Sequence, residues 1–156
     1  MSKKIIVAAA LVLLPLLAGA QAAASTEFQY LSFDIGYAPG WNLNSNNYQT
    51  PALFGLNIRV ADKLSAGIQH LTYSAGNPDN FLLLKYSFLP QVRAALGFGT
   101  QNSTNPASSI GFEVIPFGRS TGGAATEMKV AVKYDAPFSD LTRGKIFFAL
   151  AVGVGF

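Results

Sequence analysis

The chain alternates. Within 28–38, Leu31, Phe33, Ile35 and Tyr37 share one parity, and Tyr30, Ser32, Asp34 and Gly36 share the other. A period of two places successive side chains on opposite faces of an extended strand. It returns at about 50–61, where Ala52, Phe54, Leu56, Ile58 and Val60 oppose Leu53, Gly55, Asn57 and Arg59. In 64–73 the apolar set is Leu64, Ala66 and Ile68, against Ser65, Gly67 and Gln69. Segment 81–88 is blurred by Leu83, but Lys85 and Ser87 assign Leu82, Leu84, Tyr86 and Phe88 to the apolar face. Segment 91–100 sets Val92, Ala94, Leu96 and Phe98 against Arg93, Ala95, Gly97 and Gly99. Segment 109–117 sets Ile110, Phe112 and Val114 against Gly111, Glu113 and Ile115. In 126–136, Met128, Val130, Val132 and Tyr134 oppose Glu127, Lys129, Ala131, Lys133 and Asp135. The last segment, 145–156, is wholly apolar on one face (Ile146, Phe148, Leu150, Val152, Val154, Phe156) and mostly small on the other.

Between these segments lie turn-forming stretches: polar loops at 39–49, 74–80, 101–108 and 137–144, tight turns at 61–63 and 89–90, and a flexible Gly/Ser stretch at 118–125. Eight strands and no helical pattern predict an all-β chain. An open sheet edge in a bilayer would leave backbone groups unpaired, at several kcal/mol each. The expected fold is therefore an eight-stranded antiparallel up-and-down transmembrane β-barrel. About eleven residues at ~3.3 Å rise, tilted ~40°, cover roughly 28 Å of membrane normal, which matches the apolar band of such barrels. An even strand count puts both ends of the chain on one side. The turns at 61–63, 89–90 and 118–125 then face the periplasm, and the four polar loops face outward. A soluble β-sandwich or lipocalin-like barrel is the rival fold; it would turn the apolar faces inward and the charges outward.

Composition agrees with strands in lipid. Asp, Glu, Lys and Arg make up 12% of the chain, about half the usual soluble share. Residues 1–24 carry Lys3 and Lys4, an apolar run at 5–17 broken by Pro15, and small residues at 18–20 and 22–24. That is the pattern of a cleaved signal peptide, leaving residues 25–156 as the barrel domain. Removing Lys3 and Lys4 lowers the formal charge from +3 to +1, so the basic balance gives no case for a nucleic-acid partner. There is no cysteine and no disulfide framework to expect.

By strand number, leader and the terminal Phe156, the chain resembles the small eight-stranded bacterial outer-membrane barrels of the OmpA-transmembrane, OmpX and OmpW class. The resemblance implies residence in the cell outer membrane of a Gram-negative-type envelope. It implies outer-membrane lipid and the barrel-insertion machinery as partners, and Phe156, Val154 and Val152 as part of the insertion signal. A monomer is the expected state.

The face opposite the apolar one would line the lumen. It collects Asp34, Glu113, Glu127 and Asp135 with Arg59, Lys85, Arg93, Lys129 and Lys133. Of these, Asp34, Arg59, Lys85, Arg93, Glu113, Lys129 and Lys133 are the candidate lumen charge cluster. Glu113 is expected opposite or diagonal to Lys129, with Arg93 adjacent. Glu113→Ala is accordingly expected to destabilise the barrel more than a change at Asp79, which falls in a loop. The inward set is also rich in glycine. These glycines either make room for large partners such as Phe147 and Tyr73, or leave a small pocket lined by Gly97, Gly99 and Gly111. Phe28, Tyr30, Tyr37, Trp41, Tyr48, Tyr73, Phe88, Phe117, Tyr134 and Phe138 fall near strand ends, as interfacial girdles do, although some could plug the lumen.

His70 is the only histidine. With Ser74 and Asp79 it invites comparison with PagL-type lipid A deacylases, but Thr72 stands where their serine would, and no glutamate follows at a matching distance. Gly97-Phe98-Gly99 and Gly153-Val154-Gly155 are strand glycines rather than a phosphate loop. No catalytic residue, metal site or cofactor is expected. The first functional reading is a non-enzymatic envelope structural or surface-contact barrel. The alternatives are a minor porin or hydrophobic small-solute conduit, and a lipid A-modifying enzyme.

Overall fold

The computed structural model of the protein describes residues 30–121 and 123–156. The expected leader at 1–24 and the girdle candidate Phe28 lie outside them. Regular structure among the described residues is entirely strand: β1 (Leu31–Tyr37), β2 (Gly40–Asn42), β3 (Asn47–Gln49), β4 (Ala52–Ala61), β5 (Leu64–Thr72), β6 (Asp79–Leu89), β7 (Val92–Gln101), β8 (Asn105–Thr121), β9 (Ala124–Pro137) and β10 (Lys145–Gly155).

β1 pairs with β4, and an antiparallel meander runs from β4 through β10. β10 then returns to β1, from Ser32↔Gly155 to Tyr37↔Leu150. Leu31 and Phe156 complete the seam by exchanging backbone hydrogen bonds of 3.2 and 2.9 Å. The short β2–β3 hairpin continues β1 and β4 past an interruption at Ala38–Pro39, and β2 still pairs with β10 from Lys145↔Asn42 to Phe147↔Gly40. The wall is thus a closed eight-stranded antiparallel up-and-down barrel, and closure leaves its main sheet without an open edge.

Three boundaries differ from the sequence expectation. The loop expected at 39–49 contains the β2–β3 hairpin, with its turn at Asn46 (φ 50°). The loop expected at 101–108 shrinks to a turn around Asn102 and Ser103, both at positive φ. The flexible stretch expected at 118–125 is the tip of a long β8–β9 hairpin in which Thr121 pairs with Ala124. The polar and glycine residues that suggested loops sit beyond the apolar band, where strands continue without a greasy face.

Parity also fails at one place. Val92 and Val114, expected outward, are buried. They are register partners at the end of the β7–β8 ladder, and β8 carries an irregularity between Val114 and Phe117 in its pairing with β9. The extra residues of a bulge reset which face a side chain takes; Val114, Ile115 and Pro116 are consecutively buried there. The other two irregularities, at Arg59/Ala61 and Ser87/Leu89, lie at the same end of the barrel.

Elsewhere the polarity of the wall is that of a soluble protein turned inside out. Phe148, Leu150 and Val152 are 44%, 50% and 47% exposed, whereas Arg93 and Glu113 are 5% and 7% exposed. Exposed apolar residues are individually unremarkable, but a continuous belt of them marks a contact surface.

Candidate functional site

The lumen is filled in three layers. At the end nearest Tyr30 and Phe156, β1, β6, β7, β8 and β9 each send charged side chains inward. Lys129 Nζ lies 2.6 Å from Asp34 Oδ1 and 3.4 Å from Glu127 Oε2. Glu113 accepts from Lys85 and from Arg93, both at 3.1 Å. Arg93 also reaches Glu127 at 3.2 Å. Asn57 Nδ2 donates to Asp34 Oδ2 at 2.9 Å, and Lys85 stands 3.9 Å from the same oxygen. Three carboxylates (Asp34, Glu113, Glu127) therefore meet three cations (Lys85, Arg93, Lys129), all buried. A single unpaired charge in such a position would be strongly destabilising, whereas a balanced and hydrogen-bonded set is tolerated.

The middle layer is apolar. Leu53, Leu71, Phe147, Ala149 and Ala151 form one buried cluster with Ala38, and Phe81, Leu83 and Ala107 form a second. Phe147 and Phe81, 0% and 1% exposed, are the largest fully buried side chains among the described residues, and both rings lie beside the Lys133 ammonium inside the lumen.

The third layer lies toward the loop end. Lys133 Nζ donates to Gln69 Oε1 at 2.5 Å and pairs with Asp135 Oδ2 at 2.7 Å. The same ammonium sits 4.9 Å from the Phe81 ring centroid and 5.5 Å from that of Phe147, within cation–π range. Above it, Lys145 Nζ pairs with Asp79 Oδ2 at 2.7 Å and donates to Tyr73 Oη at 3.1 Å. Tyr73 Oη in turn donates to Asp79 Oδ2 at 2.5 Å, and Asp79 Oδ1 accepts from the Asn102 amide at 2.8 Å. Two carboxylates (Asp79, Asp135) here meet two ammonium groups (Lys133, Lys145).

Of the seven sequence candidates, Asp34, Lys85, Arg93, Glu113 and Lys129 come together. Lys133 belongs to the separate upper layer. Arg59 lies apart at the rim, half-buried, with its guanidinium 2.9 Å from Asp62. Across the β8–β9 ladder Glu113 lies opposite Ala131, which puts Lys129 on the expected diagonal; its direct partners are the expected Arg93 from β7 and, in addition, Lys85 from β6. Asp79, expected in a loop, is completely buried; the Asn77-Pro78 signal before it marks a turn that ends one residue earlier. Lys145 and Gln69 were on the inward parity but were not recognised as partners; the register pair Lys145↔Asp135 is the signal that could have found the first. Tyr73 turns into the lumen, as its reading as a large interior partner has it, and does not join the girdle.

The inward glycines make room for these side chains. A methyl group at Gly153 would stand 2.7 Å from Lys129 Nζ and 2.8 Å from Asp34 Oδ1, and one at Gly97 would stand 2.5 Å from Leu83 Cδ2. The space expected beside Gly97, Gly99 and Gly111 is thus largely taken. Two interior voids measure about 20 Å³, beside Ser32, Asn57 and Glu127, and about 30 Å³, beside Gln69, Ser109 and Lys133. Each holds about one water-sized sphere or two.

Exposed aromatics stand at both ends of the wall, besides Phe33, Phe54, Phe112 and Phe148 within the belt. Trp41 and Tyr48 make an edge contact at 5.5 Å, and Phe98 stacks on Phe138 at 6.2 Å, toward the loops. Tyr30, Phe88, Phe117 and Phe156 are exposed at the opposite end. His70 is half-buried, and its Nδ1 lies 2.6 Å from Asn80 Oδ1. Its neighbours Gln69 and Leu71 point inward, so His70 is on the opposite face of the wall from Asp79, and Ser74 is exposed beyond the strand. The deacylase-like set is not brought together.

No family model matches the chain, and no curated protein or solved structure matches it at a significant level.

Proposed function

We propose that the chain is an integral outer-membrane β-barrel with an envelope structural or surface-contact role. The observation that carries this reading is the inverted polarity: the belt through Phe148, Leu150 and Val152 looks out, and ten charges pair around the axis as three acids with three bases and two with two. On the lipid face, one Lys or Arg at mid-depth would cost about 2–4 kcal/mol, so this distribution suits a hydrocarbon surround. In this reading the turns near 62, 90 and 123 face the periplasm, the four loops face outward, and Phe156, Val154 and Val152 serve the insertion machinery. A conduit is disfavoured by the Phe81–Phe147 layer and the single-water voids. A deacylase is disfavoured by the opposed faces of His70 and Asp79.

The test is fractionation of cells producing the full chain, with gel migration of unheated and heated samples. Recovery in the outer-membrane fraction with heat-dependent migration is the expected result. A freely soluble chain that needs no detergent would overturn the reading.

A further inference from the structure

We propose that the outer wall carries a seat for one acyl chain of an anionic lipid, at the loop end of β8, β9 and β10. A groove of about 620 Å³ runs there, lined by Ile110, Phe112, Val132, Tyr134 and Ile146 and roofed by Leu43. Ile110 and Phe112 stand half-exposed as one bank, while Val132, Tyr134 and Ile146 are sunk between their neighbours. The roof is fixed by hydrogen bonds. The Leu43 amide donates to the Gly144 carbonyl at 3.0 Å, and Tyr134 Oη donates to the Leu141 carbonyl. The depression is thus preformed, and its lining excludes a polar occupant from the floor.

The charge beside it identifies the headgroup. Thr142 borders the groove, and Arg143 follows it with a side chain 64% exposed, paired with Asp140 at 3.0 Å. The other loop-end cations among the described residues, Lys133 and Lys145, are buried in the lumen. An exposed ion pair is weak, so a lipid phosphate can share the Arg143 guanidinium while its chain lies along Val132 and Ile146. An apolar channel bordered by Thr142, whose neighbour Arg143 is exposed and held only by a rim ion pair with Asp140, fits an anionic lipid better than a neutral one. The inference rests on the bilayer reading above.

Trp41, the only tryptophan, is the register partner of Ile146 and reports on the groove. The purified full-length barrel is placed in phosphatidylcholine nanodiscs containing a small fraction of phosphatidylglycerol, with bromine near the glycerol end of one lipid or the other. Brominated phosphatidylglycerol is expected to quench Trp41 as if enriched about fivefold over an equal fraction of brominated phosphatidylcholine, the size expected for one interfacial cation. Arg143→Gln should abolish the difference, Asp140→Asn should keep or raise it, and Val132→Phe should lower it by filling the floor. Equal quenching by the two lipids, or a preference untouched by Arg143→Gln, would overturn the seat. Arg143 lies in an exposed loop, so its variant decides the matter even where Val132→Phe fails to fold. Failure of the bilayer reading looks different: no incorporation into discs and no quenching even when all the lipid is brominated.

Discussion

Lys129 reaches over β10 to bind Asp34, and the bridge passes directly above the bare Cα of Gly153. The two charges belong to β9 and β1, with one strand between them, and their 2.6 Å contact exists because that strand offers no side chain at the crossing. Gly153→Ala places a methyl within 2.8 Å of both partners. The expected outcome is a loss of about 1–3 kcal/mol from overpacking, seen as a lower urea midpoint. An unchanged midpoint would show that the ionic layer yields freely.

Glu113 is the acceptor shared by Lys85 and Arg93. Glu113→Ala leaves two buried cations short of a partner, and the expected cost is about 3–5 kcal/mol. The matched control is Asp62→Ala at the rim, where the carboxylate is 97% exposed and the expected cost is under about 1 kcal/mol. Asp79 cannot serve as the control, since it is buried on Lys145. Urea titration of all three should rank Glu113 and Asp79 together, well above Asp62.

Phe81 and Phe147 close the axis. The native protein should give no steady conductance in planar bilayers, and Phe81→Ala/Phe147→Ala should open a small one, at a stability cost of about 3–5 kcal/mol per ring. Migration on unheated gels checks that the variant is folded, and Phe147→Ala alone serves where the double change is not. Native conductance equal to that of the variant would place the barrier elsewhere.

Asp140 organises the last loop outside the wall. Its Oδ1 accepts from the Thr142 hydroxyl at 2.6 Å and from the Thr142 amide at 3.0 Å. The hydroxyl bond first, then the amide bond and the nearby Arg143, hold its carboxyl below the ordinary Asp range. A folded value below the unfolded one means that this support is complete above the ordinary carboxylate range and is lost as pH falls through the depressed value. The Thr142 amide shift should report a titration below that of a free Asp, and Thr142→Val should move the midpoint upward.

The wall was legible because alternation is a local signal. Phe148, Leu150 and Val152 declare their common face within one strand, and the charges of the opposite parity declare the lumen. The pairing inside the lumen was legible in part: neighbouring strands give Glu113 with Arg93 and the Lys129 diagonal, whereas pairs that skip strands, Lys85 with Glu113 and Lys145 with Asp79, depend on closure and register. The bulge between Val114 and Phe117 shifts β8 by one residue against β9 and sets Glu113 opposite Ala131. Arg59 has inward parity but lies one residue from a second irregularity, close enough to water to pair with Asp62. Asp79 and Tyr73 border a stretch whose Gly76, Asn77 and Pro78 read as loop, and only the closed barrel turns them toward Lys145.

The charge balance of the lumen bears on voltage. A transmembrane potential pulls on net charge, at about 2.3 kcal/mol per elementary charge per 100 mV. Three acids against three bases in one layer and two against two in the other leave it nothing to pull. In the proposed membrane setting, a lumen balanced in this way carries no net formal charge for a potential to move, and Phe81 and Phe147 rather than a gating charge hold it shut.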